Sequence, residues 1–325
     1  MKKTIITLLL SALIVGYVHS QNQTNTEEEA LETLRTLYRG VRFTNRAVNY
    51  HLQIHIGAVA FEILVNDHLV FRNAGRQGSG TIGLSAPINR NILRSGVQTW
   101  EVRVFPPEVN GQRLEGLPEG ARIDVSLERL RFDRRGNVRH LATPIQLIET
   151  PIIEQGGRRI FADAGKPMIV YSGTFYANVP YELIGWSNGQ DLSKMNQEEL
   201  LEMLLDAYRT FGNHIENGEL EQIARLLLRT YTETAQSLFF TREENEQLMH
   251  SFYRMYRQEA MTPLPIENYK MTFWGNNRMV TLERTDLTFL TAFAFGFVED
   301  GRQMSVGYTL FFYMPEGSNR LEIIR

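Results

Sequence analysis

Three stretches of the chain set chemistry-bearing residue types at suggestive spacing. In GWSNG, residues 185–189, Ser187 occupies the G-x-S-x-G pattern that can expose a nucleophilic hydroxyl, and Asp206 and His214 follow in an order a relay set can use. His51 and His55 in YHLQIHIG stand four apart, a spacing that on a helix would bring two imidazoles to one metal ion. In ERLRFDRRGNVRH, Arg129, Arg131, Arg134, Arg135, Arg139 and His140 crowd a predicted hairpin turn, which suits an acidic partner or a phosphate.

Each idea depends on the element beneath it. A nucleophile elbow needs a strand before the serine and a helix directly after it, whereas NGQDLSKM is a polar loop. No alternation of strands and helices precedes it, so the stretch reads as a Gly-rich linker between domains, and Asp206 and His214 fall on or beside the first helix. The two histidines alternate with Leu52 and Ile54, so the segment reads as a strand. At ~3.3 Å per residue they stand about 13 Å apart, too far to share one ion. Glu128 and Asp133 balance part of the arginine cluster, which reads first as a solvated tip and second as a binding patch. No catalytic, metal or cofactor set emerges.

From Asn49 the apolar period is two. YHLQIHIGAVAFEILV, VQTWEVRVFPP, ARIDVSLERL and MIVYSGTFYANV alternate, and Asn66-Asp67 between ILV and HLVF is a hairpin signal. Many short strands separated by Gly, Pro and Asn turns predict an all-β antiparallel sandwich, jelly-roll-like, over residues 45–186. After it the pattern becomes helical. Asn196 and Glu199 have cap spacing before EELLEMLLDAYRTFG, ELEQIARLLLRTY follows Asn217-Gly218, and Thr241 with Glu244 forms a capping box before REENEQLMHSFYRMYRQEA. Strands return in NYKMTFWGNNRMVTLERTD, which turns at Gly275-Asn276-Asn277, and continue through DLTFLTAFAFGFVED and QMSVGYTLFFYM. Three helices followed by antiparallel strands predict an α+β domain over residues 187–325.

The N-terminus, MKKTIITLLLSALIVGYVHSQNQ, has a charged start, an apolar core from Ile5 to Val15, and Val18-His19-Ser20 as a cleavage site. It reads as a secretory signal over residues 1–20, cut after Ser20, which places the mature chain in the periplasm or outside the cell. A polar spacer and a short helix, capped by Thr26 and Glu29, fill residues 21–44. Removing Lys2 and Lys3 takes the formal charge from −3 to −5, which argues against nucleic acid as a partner. The chain has no cysteine, so stability must come from burial rather than disulfides. No later stretch has the run of apolar residues that a membrane helix needs.

LLDAYRTFGNHIENGELEQIARLL resembles the opening helices of the cone-shaped superfamily that includes nuclear transport factor and ketosteroid isomerase. That resemblance covers roughly Asn196 to Arg325 and implies a curved antiparallel sheet wrapped round the helices, with an apolar pocket. Phe289, Phe293, Phe295 and Phe297 on one strand face, with Tyr308, are the candidates to line it. An isomerase of this type needs a carboxylate base inside the pocket, and Asp286 and Asp300 are placed at strand ends instead. Tyr269, Tyr308 and Tyr313 are the possible donors. INRNILRSGVQTWEVRVFP is similar to strands of jelly-roll carbohydrate-binding modules. The whole chain resembles exported bacterial two-domain proteins of the immunity type. The expectation is therefore a non-enzymatic exported binding protein whose partner is another protein, a periplasmic inhibitor or immunity-type factor. A glycan module using Trp100, Trp186 or Tyr176, and a small-molecule carrier or enzyme using the cone pocket, are the alternatives.

Overall fold

The computed structural model describes residues 28–76, 80–132, 137–257, 261–287, 289–299 and 301–325. The secretory signal and the Thr26 cap lie outside them, as do Asp133, Arg134, Arg135 and Asp300. The chain is α+β: antiparallel sheets, three long helices, then antiparallel sheets again. No helix among the described residues is long and apolar enough to cross a membrane.

Residues 28–35 form a short helix, α1, that ends in a 3₁₀ turn, Leu37–Arg39. Two sheets follow. The outer sheet has the order β10 (Ile145–Ile148), β8 (Arg122–Phe132), β1 (Asn49–Gly57), β4 (Thr81–Pro87), with β9 (Val138–His140) on β8. The middle sheet has the order β13 (Ile169–Ala177), β5 (Gly96–Phe105), β2 (Ala60–Val65), β3 (His68–Asn73). Leu52, Ile54, Ile56, Ile123, Val125 and Leu127 of the outer sheet share one core with Phe61, Ile63, Trp100, Val102 and Val104 of the middle sheet. The period-two reading of these strands therefore holds. Two small hairpins, β6 (Glu108–Val109) with β7 (Gln112–Arg113) and β11 (Ile152–Gln155) with β12 (Arg158–Phe161), are appended. At Asn66-Asp67 both residues have φ of 54°, the left-handed pair a tight hairpin turn demands and short Asx side chains tolerate.

The helices form where the capping residues announce them. Asn196 Oδ1 accepts from the amides of Glu198 (2.9 Å) and Glu199 (3.3 Å) at the start of α2 (Gln197–Glu216). α3 (Leu220–Leu238) follows the tight link at Gly218. Thr241 and Glu244 close a reciprocal capping box at α4 (Arg242–Tyr256). Leu200, Leu204, Tyr208, Phe211 and Ile215 of α2 fall on one face and are buried.

Beneath the helices the strands divide. β15 (Tyr269–Trp274), β16 (Met279–Arg284), β19 (Phe312–Tyr313) and β20 (Glu322–Ile323) form the third sheet, in that order. β14 (Thr262–Pro263), β17 (Ala294–Glu299) and β18 (Arg302–Gly307) form a fourth. This corrects the expectation of one curved sheet round a cone. Between β16 and β17 the chain turns away at Phe289, whose φ is +61°, and among the described residues an isolated bridge, Glu283 to Thr291, is what joins the two ladders.

One face of the third sheet, with Val280, Leu282, Phe312 and Ile323, packs on the helices. The opposite face meets the outward side of the middle sheet through Leu64, Leu69, Trp274, Met279, Phe311 and Tyr313. The middle sheet is thus covered on both sides at β2, where all six residues are buried. The two hairpin turns dock on each other: Gly275 N–H donates to the Asp67 carbonyl and Asn276 N–H to Asp67 Oδ2, both at 2.8 Å. At Gly275 φ is +61°, and an added Cβ would stand 2.7 Å from Trp186, so glycine is required there.

Candidate functional site

The third sheet covers the middle sheet only in part, and a cleft opens where the cover ends. Its cavity of about 460 Å³ is lined by Glu62 of β2, Arg103 and Phe105 of β5, Arg113 of β7, Lys270, Thr272 and Trp274 of β15, and Glu283 of β16. Arg284, Thr285 and Phe289 complete the wall.

The floor is ionic. Arg72 Nη1 stands 2.5 Å from Glu283 Oε1 and 3.8 Å from Glu62 Oε1. Thr272 donates its hydroxyl to Glu283 Oε2 at 3.1 Å. Arg103 lies 3.7 Å from Glu62 Oε2 and is also paired with Glu101. Glu62 and Glu283 are both almost wholly buried, at 6% and 8% exposure. Burial pushes the Glu62 carboxyl above its ordinary value, the Glu283 charge pushes the same way, and Arg72, Arg103 and Lys270 oppose them. Two neighbouring carboxyls, one raised, are the ingredients of acid–base chemistry. Here the Arg72 guanidinium contacts both carboxylates, where a scissile bond would have to sit, so the set works as a bridge and not as a pair flanking a substrate.

The rim is cationic and aromatic. Arg284 is held by Asp286, while Lys270 and Arg113 form no salt bridge among the described residues. Arg113 lies over the Phe105 ring at 5.8 Å, and Phe105 meets Phe289 edge-on at 5.7 Å. Phe289 holds a left-handed backbone that bulky residues rarely adopt, and strain of this kind, about 1–3 kcal/mol, gathers at working sites. Its ring also lines a second cavity of about 250 Å³, beside Arg72, Asn73 and Gly75.

Most of the residues singled out from sequence lie elsewhere. Arg129, Arg131 and Arg139 surround the β8–β9 hairpin on the outer sheet, the far layer from the cleft, with Arg131 directly opposite Arg139. Arg131 Nε donates to the Ala47 carbonyl at 3.0 Å. Arg134 and Arg135 lie outside the described residues. Phe293, Phe295 and Tyr308 are core: they pack among Tyr208, Phe211 and Tyr256, and Tyr308 donates its hydroxyl to the Met255 carbonyl. They do so because the helices lie directly on this face, filling the space a pocket would need. Phe297 lines an outward groove with Leu264 and Met304. Of the five aromatic candidates, Phe289 alone reaches the cleft.

Ser187 donates its hydroxyl to the Ile184 carbonyl at 2.6 Å, and His214 Nδ1 faces Glu219 Oε2, so neither is joined to the other. His51 Nδ1 is bonded to Ser85 Oγ at 2.9 Å, and no group of metal ligands occurs among the described residues. Trp100 and Trp186 are buried, at 8% and 4% exposure, leaving Tyr176 at 68% as the exposed candidate for stacking on a sugar. Glu62 and Glu283 went unread as site residues. The available signal was a lone carboxylate within the uninterrupted apolar run AFEILV, a run that implies cover on both faces.

The chain matches no protein-family model, and no curated protein or solved structure is similar to it.

Proposed function

We propose that this is a non-enzymatic binding protein whose ligand is another protein, with residues 45–186 acting as a jelly-roll-like sandwich that presents its outward face. The observation that carries the reading is the uncovered half of the middle sheet. Along β13 and β5 the outward residues Val170, Ser172, Thr174, Tyr176, Val97 and Thr99 are exposed. Val97 and Tyr176 are direct cross-strand partners, at 70% and 68% exposure. An exposed apolar pair of this kind, on the strand that ends its sheet and on that strand's neighbour, is a surface a partner can cover. The bridged floor of the cleft supports the non-enzymatic part of the reading. The N-terminal signal read from sequence puts the encounter in the periplasm or outside the cell, where an inhibitor or immunity-type factor would meet its target.

The test is an affinity pull-down of the mature chain from native periplasmic extract, beside a Val97→Asp/Tyr176→Asp variant. Both positions are exposed, so the variant should fold. The expected result is a stoichiometric protein partner lost from the variant by at least about tenfold, since central apolar anchors carry ~1.4 kcal/mol or more. A bait that returns without a protein partner, or with a bound sugar, overturns the reading.

A further inference from the structure

Resting on that reading, we propose that the cleft holds an acidic, extended segment of the protein partner, added as a strand to the free edge of β15. Three observations converge on this. The first is an open edge. Among the described residues β15 ends the order of the third sheet and pairs with β16 alone, so the backbone groups on its other side have no strand there to bond. Such an edge is a template for an incoming extended chain, whose main chain supplies affinity and whose alternate side chains supply specificity.

The second is the shape of the space beside that edge. Lys270, Thr272 and Trp274 alternate along β15 and form one wall of the cavity, while Arg103 and Phe105 of β5 form the other. The cavity is about 460 Å³, room for a few residues of peptide rather than a folded domain. It also lies on the face that carries Val97 and Tyr176: Val97, Arg103 and Phe105 all point outward on β5. Six residues separate Val97 from Arg103, about 20 Å at ~3.3 Å per residue, so one partner can cover the apolar pair and reach the cleft.

The third is charge. Four cations line the cavity, Arg103, Arg113, Lys270 and Arg284, against the carboxylates of Glu62 and Glu283. Glu283 is held by Arg72 and Thr272, and Glu62 stands between Arg72 and Arg103, so the floor is internally balanced. Lys270 and Arg113 are both exposed and form no salt bridge among the described residues, Lys270 acting on Glu62 only through its charge, and they are left to meet the ligand. A segment with carboxylates at every second position would place them on these cations while its other side chains point away. Electrostatic complementarity of this sort governs partner choice and encounter rate more than raw affinity.

The experiment uses the full mature chain and a blocked, fluorescein-labelled octapeptide of alternating Glu and Thr, read by anisotropy. The proposal expects binding that weakens with salt. It also expects a loss of about tenfold in a Lys270→Glu/Arg113→Glu variant, and a similar loss when alternate peptide amides are N-methylated. A peptide with Lys in place of Glu should not bind. Absence of binding, equal binding of the Lys or N-methylated peptide, or displacement by free glutamate at equal concentration each overturn it. The same variant in the pull-down separates this inference from the reading beneath it. A partner captured equally by the Lys270→Glu/Arg113→Glu chain removes the cleft from the interface and leaves protein binding standing. A wild-type chain that captures nothing removes both.

Discussion

The middle sheet meets the third sheet twice, once through an apolar seam and once across the ionic cleft. At the seam, His68 is fully buried between Trp186 and Phe311, with ring centroids 5.0 and 4.9 Å away, and Leu64, Trp274 and Met279 complete the packing. Closure is favoured enough to leave His68 Nε2 and Trp274 Nε1 without hydrogen-bond partners among the described residues, at a cost of about 1–3 kcal/mol each. At the cleft the polar groups are paired instead, through Arg72, Glu62, Glu283 and Thr272, and the sheets stay apart. One contact fixes the layers; the other leaves a space between them. The difference teaches that a lasting opening here depends on charges whose desolvation would make full closure unfavourable.

The largest expected effect tests the closed contact. Phe311→Ala removes a ring that is 4% exposed and packed edge-on against both His68 and Trp274. Chemical denaturation should show a loss of about 3–5 kcal/mol, the usual cost of emptying a buried aromatic site. A loss below ~1 kcal/mol would mean that the seam does not hold the layers, and the comparison would fail.

A smaller effect should follow from breaking the floor of the cleft. Glu283→Ala takes the 2.5 Å partner from Arg72, leaving a guanidinium whose side chain is 11% exposed. Removing one member of a buried pair usually costs 3–5 kcal/mol, but Glu62 stands 3.8 Å away to take up part of the charge, so about 2 kcal/mol is expected. Replacing Arg72, Glu62 and Glu283 together with apolar residues should restore much of that stability and close the cleft, leaving the peptide no site.

Local signals in the sequence read well and distant ones did not. Asn196, Thr241 and Glu244 announce their helices within four residues, and Asn66-Asp67 announces a turn through backbone preference alone. The alternation in YHLQIHI and VQTWEVRV reports one buried face, and the structure buries it. The candidate site draws on positions 62, 72, 103, 270 and 283, which no local pattern connects. Glu62 interrupts an apolar run, but nothing nearby in sequence says what covers it; a second sheet from two hundred residues later does. The aromatic stretch of residues 287–297 misled for a related reason. Its apolar spacing fits a pocket wall or a core face equally, and only the helices above it decide.

The smallest effect separates the two contacts by pH. His68 in the seam is held well below its ordinary pKa by burial first, then by the Arg90 and Arg325 charges. The folded state therefore keeps it neutral while the unfolded chain takes up a proton below about pH 6.5, so acidification costs up to ~1.4 kcal/mol per pH unit from there downward. Glu62 in the cleft works in the opposite direction. Its folded pKa is raised by burial and by Glu283, so its ionised form is a burden at neutral pH, relieved as pH falls through that value toward the unfolded carboxyl near 4.5. In the wild-type chain the two slopes oppose each other below about pH 6.5, over the range above the unfolded carboxyl value in which folded Glu62 takes up its proton. Denaturation midpoints across that window should steepen in their acid loss for Glu62→Gln. They should flatten or reverse for His68→Asn, which keeps an acceptor for the Asn91 amide now 2.6 Å from His68 Nδ1. If both variants follow the wild-type curve, neither group titrates differently on folding, and the two contacts differ in shape but not in electrostatics.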